Sequence, residues 1–296
     1  MLAWQNGTSQ RAPARWSAIL NIRRAAVAGT WYPGNAAALA RAVDGHLSHA
    51  DSDPDDRFES LVALIAPHAG LLYSGPVAAH AYRLLRGRTF DVIVLVGPSH
   101  FVGFDGVALY RGGGFQTPFG IAAIDEACAA EIMKAAPIVR GHEAAHAREH
   151  SLEMQLPFVQ RLAPDSPIVP LVTGFQTPAT ARVLGDALGA VLAGRRALLV
   201  ASTDLSHYHD AAAAARLDRV VIDHVSRFDA DGLQRALDRT PHHACGGGPT
   251  VAVMRAARAL GARDAVVLKY ADSGDVSGDK SSVVGYMAAA FGTVLR

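Results

Sequence analysis

Residues 61–70 read LVALIAPHAG, and their reading decides the fold. Six apolar residues run without interruption into Pro67 and His68. A continuous apolar run of this length, closed by a proline, suits a strand buried on both faces and is short for a helix. His68 therefore stands where a buried strand stops and its loop begins. The pattern recurs twice: DVIVLVGPSH (91–100) delivers His100 from the end of a second run, and ALLVASTDLSHYH (197–209) delivers Asp204 and His207 from a third.

Working outward, PIVPLVTG (167–174) and DAVVLKYA (264–271) read as further strands, and GVALY (106–110) with FQTPFGIAAI (115–124) as a strand pair around a Pro-Phe-Gly turn. Helical spacing fills the intervals. NAAALARAVDGHLSHA (35–50) has Asn35 as its N-cap. GPVAAHAYRLLRG (75–87), DEACAAEIMKAA (125–136), TARVLGDALGAVLAG (180–194) and a helix pair between 211 and 238 follow. AREHSLEMQLPFVQRL (147–162) is expected as one helix, kinked or restarted at Pro157. Val/Leu/Ile strands alternating with helices predict a single three-layer α/β domain, a central mostly parallel sheet flanked by helices. The expected domain runs over 23–296, with 1–22 as a loosely held extension and the acidic DSDPDD (51–56) as a loop.

At 296 residues and 50% hydrophobic content the chain can bury a substantial core. Lysine and arginine total 28 against 27 acids, and no basic cluster is interleaved with aromatics, which argues against nucleic acid as a partner. Every apolar run is broken by Gly, Pro or charge well short of the roughly 20 residues that cross a bilayer, so no membrane association is expected. Two cysteines, Cys128 and Cys245, cannot build a disulfide framework, and a cytoplasmic location is expected.

Ligands of open parallel sheets bind beyond the carboxyl ends of the strands, which is where His68, His100, Asp204 and His207 all emerge. A fourth segment, HHACGGGPTVAVMRAARAL (242–260), describes a helix start with Pro249 in the first turn and Cys245 just ahead of it. Unpaired amides and the positive helix end are expected to ease ionisation of that thiol, whereas Cys128 lies within a helix and suits core packing. Two imidazoles and a thiolate make a three-ligand site with open positions, suited to Fe, Cu or Zn and not to Mg or Ca. The competing chemistry is a nucleophilic Cys245 with His207 as base and the GGG amides as an oxyanion hole. Asp204 is placed to orient His207 as acid/base. Trp31 and Tyr73, in Gly/Pro-containing segments, are candidate walls for a flat ligand. Glu149, His150 and Glu153 fall within one expected helical turn, close enough for one acid to support a ligand from behind.

The blocks AGTWYPG (28–34), IAPHAGLLYSGPVAAHAY (65–82), VGPSH (96–100), QTPFG (116–120), EHSLEMQLPF (149–158), STDLSHY (202–208) and ACGGGP (244–249) resemble, in order and approximate spacing, the Memo family. Its bacterial and archaeal members are called AmmeMemoRadiSam system protein B, and the resemblance covers about residues 23 to 294. It implies a fold like that of the class III extradiol ring-cleaving dioxygenases, in which two histidines and a glutamate hold Fe(II) and another histidine is acid/base. Carried over, His68 and His100 are the imidazole ligands, Cys245 replaces the glutamate, His207 is the acid/base, and Trp31 and Tyr73 match pocket residues associated in animal relatives with phosphotyrosine peptides. The cysteine is the departure: a thiolate donates more electron density than a carboxylate and can itself be oxidised.

Three functional readings follow. The first is an iron-dependent oxidoreductase, dioxygenase-like, acting on a small phenolic or catechol-like substrate, with Fe(II) preferred over Cu or Zn. The second is a non-catalytic module that holds a metal or an anionic aromatic ligand for radical-SAM or AMMECR-type partner proteins. The third is a thiol hydrolase built on Cys245.

Overall fold

The computed structural model describes residues 21–50 and 58–295. Residues 1–20 of the expected extension and the acidic 51–56 loop lie outside them. The strands, in chain order, are β1 (Ile22–Arg23), β2 (Phe58–Ala66), β3 (Val92–Pro98), β4 (Val107–Leu109), β5 (Gly114–Thr117), β6 (Gly120–Ala123), β7 (Val139–Gly141), β8 (Ile168–Thr173), β9 (Ala197–Ser202), β10 (His207–His209), β11 (Asp264–Asp272) and β12 (Val283–Val294). The helices are α1 (Ala36–Ala50), α2 (Leu71–Tyr82), α3 (Glu126–Ala135), α4 (Glu143–His146), α5 (Leu156–Leu162), α6 (Pro178–Val191), α7 (Ala211–Ser226), α8 (Ala230–Arg239), α9 (Gly247–Ala259) and α10 (Gly274–Ser277).

The large sheet is ordered β10-β12-β2-β9-β3-β8-β4-β7, with β11 on β12. Its central run β2-β9-β3-β8 is parallel, and antiparallel pairings appear at its flanks. Along β3, Val92, Val94 and Val96 pack into one core with α3, α6, α7, α8 and α9, while Ile93 and Leu95 pack into another with α1, α2 and α5. Both faces are dry, which is why these strands read as unbroken apolar runs instead of alternating. The expected mixed α/β fold, a large mostly parallel sheet flanked by helices, is thus the observed one. No helix among the described residues is long and apolar enough to cross a membrane.

Three local readings change. GVALY and FQTPFGIAAI do not pair: β4 joins β8 and β7 in the large sheet, and β5 and β6 form their own hairpin around Pro118 and Phe119, extended by β1. The expected helix at 147–162 is α5 alone, preceded by a short 3-10 turn (Glu153–Gln155), and Pro157 sits in its first turn, where a missing N–H costs nothing. β12, which carries VVGYMAAAFGTV, joins β2, β10 and β11 and had no counterpart in the strand reading. Asn35 caps α1 as expected, its Oδ1 accepting from Ala38 N at 2.9 Å.

Candidate metal centre

β2, β9 and β3 are adjacent and parallel, so the residues just past their ends share one edge of the sheet. Those residues are His68, Asp204 and His100. Cys245 sits on the turn that enters α9. Ligand atoms of His68, His100 and Cys245 all lie within 4.8 Å of one another, and Cys245 Sγ is 3.2 Å from His68 Nε2. The chain thus brings together the three expected donors across 177 residues of sequence separation.

The hydrogen bonds behind His68 fix its tautomer. Gln155 Nε2 donates to the Pro67 carbonyl at 3.1 Å, which sets the orientation of the amide, and the same nitrogen donates to Ser202 Oγ at 2.7 Å. Ser202 spends its single proton on the Ser151 carbonyl at 2.6 Å. Its remaining lone pair must accept from His68 Nδ1, 2.8 Å away. Nε2 of His68 is therefore left bare, aimed toward the sulfur. Burial first, and the neighbouring His100 second, lower the His68 pKa to about 3, so the ring is neutral near pH 7.

His100 is set by a carboxylate. Glu149 Oε1 lies 2.8 Å from His100 Nδ1 and accepts Ser151 N at 2.8 Å, and Oε2 accepts the His100 backbone N–H at 2.6 Å. Burial works against the Glu149 charge, but these donors prevail and hold its pKa down at about 2. With Nδ1 donating to a carboxylate, Nε2 of His100 faces the site, the arrangement typical of metal-bound imidazoles. His100, Glu149 and His150 also offer ligand atoms within 4.8 Å of one another. Glu149 is already committed to three N–H groups there, and His150 stacks on His100 with centroids 4.4 Å apart. His150 is 7% exposed, and its Nδ1 has no hydrogen-bond partner. Burial and the His68 and His100 rings bring its pKa down to about 4.

Cys245 departs from expectation in its ionisation. Its sulfur accepts from the Asp204 N–H at 3.3 Å, yet burial, with the Asp204 carboxylate second, pushes the thiol well above its ordinary range. The expected oxyanion hole is also taken: Gly246 N donates to Thr203 Oγ1, Gly247 N to the Ala244 carbonyl and Gly248 N to Gln176 Oε1. The three glycines answer a packing need. A Cβ would sit 2.3 Å from the Ser202 carbonyl at Gly246, 2.7 Å from Leu237 at Gly247 and 2.8 Å from Gln176 at Gly248. Gln176 moreover donates to the Cys245 carbonyl at 2.6 Å, clamping the cysteine to the start of α9. The thiol's nearest imidazole is His68, so the expected Cys245–His207 pairing is replaced by Cys245–His68.

Asp204 likewise takes another place. Its buried carboxylate accepts the His68 backbone N–H at 2.7 Å, holding the strand-end loop, and no hydrogen bond joins it to the His207 ring. Its pKa is raised by burial, against the backbone donors. His207 begins β10 and lines the same cavity as His68, His100 and Cys245, a space of about 730 Å³. Trp31 also lines it, its ring 4.3 Å from His150. Tyr73, on the first turn of α2, is 38% exposed and is not among the lining residues; Tyr208 is. Trp31 is held by the segment before it. Glu153 accepts from Ala26 N, Val27 N and Tyr32 Oη and pairs with buried Arg23, so of the two expected acids Glu149 supports a ligand and Glu153 anchors the tryptophan loop. Ser202, Gln155, Gln176 and the rim histidines His209 and His242 carried no signal in the sequence beyond being polar.

The donor chemistry suits a borderline or soft transition metal: two imidazoles, each held at Nδ1 from behind so that Nε2 faces the site, and a sulfur that a metal would convert to thiolate. A Memo-like protein family model matches residues 23–290. A MEMO1 family protein of Methanothermobacter thermautotrophicus is 38% identical over 273 residues, spanning 90% of this chain and 98% of that protein. Another, from Methanopyrus kandleri, is 38% identical over 279 residues, covering 91% and 98%. The solved structure of an uncharacterized Escherichia coli K12 protein aligns with a TM-score of 0.49 at 18% identity, covering 77% of this chain and 99% of that one. Relatives aligned nearly end to end, over the span that carries every strand of the site, establish that the chain belongs to the Memo family.

Proposed function

We propose that this protein is a metal-dependent oxidoreductase that holds Fe(II) through His68, His100 and Cys245 and acts on a small phenolic or catechol-like substrate. The observation that carries the reading is the pair of imidazoles, each held at Nδ1 by a dedicated partner, whose ligand atoms converge with one sulfur. Preset tautomers of this kind serve a Lewis-acidic guest and are wasted on packing. Bound Fe(II) would supply electron density to dioxygen and Lewis acidity to a phenolic oxygen. The protein's own residues do the rest. Trp31 and Tyr208 flank a cavity wide enough for one aromatic ring. His207, on the same wall, takes the substrate's hydroxyl proton and returns it to product. Asp204 keeps the His68 loop in register through its backbone N–H.

The test is anaerobic loading of the full chain with Fe(II), metal analysis, then oxygen uptake and ring-cleavage absorbance over a catechol panel. One metal per chain, lost in His68→Ala and Cys245→Ala, with turnover lost in His207→Ala, is the expected result. One metal per chain with no oxygen uptake on any phenol overturns the oxidoreductase reading in favour of a metal-holding module serving partner proteins. No stoichiometric metal overturns both.

A further inference from the structure

Cys245 stands at a helix start that has no capping side chain of its own. Gly246 is the N-cap of α9 and makes no side-chain cap hydrogen bond, and a Cβ at Gly246, Gly247 or Gly248 would collide with Ser202, Leu237 or Gln176. No side chain within the turn can therefore serve, and the cap comes from elsewhere in the chain. Gln176, on the loop between β8 and α6, accepts the Gly248 N–H on Oε1 at 2.7 Å and donates from Nε2 to the Cys245 carbonyl at 2.6 Å. One contact needs an acceptor and the other a donor, so the amide can sit only one way round. Neither a glutamate nor a methionine could make both bonds.

The loop that carries Gln176 also holds the histidine arm of the site. Thr173, the last residue of β8, accepts at 2.9 Å the N–H of Ser99, the residue before His100. Gly174 N donates to the Gly106 carbonyl at 3.0 Å and Phe175 N to the Phe104 carbonyl at 2.8 Å. The run 173–176 thus grips the backbone on both sides of His100 and that of Cys245. From the other direction the Cys245 N–H donates to the Asp204 carbonyl at 3.2 Å, so both backbone polar groups of the cysteine are tied, one to the chain just past β9 and one to the chain just past β8. Fixing both peptide groups fixes the direction of the Cα–Cβ bond, and with it the few staggered positions open to the sulfur. We propose that Gln176 is a positioning residue for the metal centre: by bracing the Cys245 turn against the loop beyond His100, it sets where the sulfur stands relative to the two imidazoles, and so how well a metal fits the three donors. This rests on the metal-binding part of the reading above and is independent of the reaction the metal serves.

The test uses the full chain with Co(II) as the metal. Gln176→Met keeps the bulk of the side chain and removes both hydrogen bonds, and Gln176→Glu keeps an acceptor for Gly248 but sets an oxygen against the Cys245 carbonyl. Thr177→Ala removes the cap of α6, where Thr177 Oγ1 accepts from Thr180 N at 3.1 Å, and so disturbs the same loop without touching Cys245. Both Gln176 variants should bind Co(II) about 10–100-fold more weakly in chelator competition, and at saturation their thiolate-to-Co(II) charge-transfer band should lose intensity per bound ion. In metal-free protein, alkylation of Cys245 by iodoacetamide, located by peptide mapping, should run about tenfold faster in both, because the turn opens more readily. Thr177→Ala should match the wild type in all of these. Wild-type affinity and band in Gln176→Met overturn the proposal, and so do equal losses in Thr177→Ala, which would reduce Gln176 to a general support of the loop. A wild type that binds no Co(II) refutes the metal reading, and faster alkylation in the Gln176 variants would then still uphold the placement of the sulfur. Unchanged alkylation overturns that placement whether or not metal binds.

Discussion

Ser202→Ala removes one oxygen and with it the whole basis for the His68 tautomer. Ser202 Oγ touches His68 Nδ1 at 2.8 Å, Gln155 Nε2 at 2.7 Å and the Ser151 carbonyl at 2.6 Å, all buried. After truncation Gln155 keeps the Pro67 carbonyl. The Ser151 carbonyl and His68 Nδ1 lose their partner. Two orphaned buried groups at roughly 1–3 kcal/mol each give an expected destabilisation of about 3 kcal/mol, readable as a shift in urea midpoint with an unchanged m-value. The functional effect is separable from this. With no acceptor at Nδ1, the ring gains by moving its proton to Nε2, where it can donate toward Cys245, and metal binding must then displace it. Removing such a supporting partner typically costs about 10–100-fold in metal affinity, to be measured by chelator competition under conditions where the variant stays folded. The tautomer itself is visible in 15N shifts of histidine-labelled protein: His68 should show a protonated Nδ1 and a bare Nε2 in the wild type and the reverse in the variant. A wild-type spectrum with the proton on Nε2, or unchanged metal affinity in Ser202→Ala, refutes the reasoning.

Glu149→Gln places an amide NH2 against one of three N–H donors, since both carboxylate oxygens already accept; about 10–100-fold weaker metal binding is expected by the same competition assay, with secondary structure by circular dichroism unchanged. Gly246→Ala drives a methyl to within 2.3 Å of the Ser202 carbonyl, so about 1–3 kcal/mol of stability should disappear in urea unfolding, whereas Gly261→Ala, at a φ of 92° with open space around it, tests backbone strain alone and should cost less. His146 supplies a pH prediction at a residue that is not itself a candidate metal ligand. Its Nε2 donates to the Ala108 carbonyl at 3.1 Å, its Nδ1 has no partner, and burial brings its pKa from 6.5 to about 3. Because the unfolded chain binds this proton more readily, stability is intact above pH 6.5 and falls as pH drops toward 3, by about 2 kcal/mol between pH 7.5 and 5. His146→Gln should remove that share of the slope, and an unchanged slope refutes the assignment.

How much of this was legible in the chain follows from the range of the interactions responsible. His68, His100 and Asp204 could be placed at one sheet edge because each ends an apolar run, and burial on both faces of a parallel sheet is a local, compositional signal. Cys245 at a helix entry was equally local, marked by Gly246, Gly247, Gly248 and Pro249. β12 was missed for the opposite reason: Ala288, Ala289 and Ala290 are fully buried there, and alanine carries no strand propensity, its small size letting neighbouring layers approach. The stretch 147–155 misled because its spacing is helical while its structure is dictated from afar. Glu149 binds the His100 and Ser151 amides, Glu153 binds Ala26, Val27 and Tyr32, and a continuous helix would leave those buried groups unpaired. The same range limit explains Asp204. Three residues before His207, it reads as that ring's partner; in space the His68 amide, 136 residues away, is the stronger claim on a buried carboxylate. The chemistry of the site is therefore written twice in this chain. The donors stand in short motifs that a strand or helix end exposes to reading, and the groups that decide which atom of each donor is offered are serines, glutamines and glutamates whose meaning exists only once the sheet has closed around them.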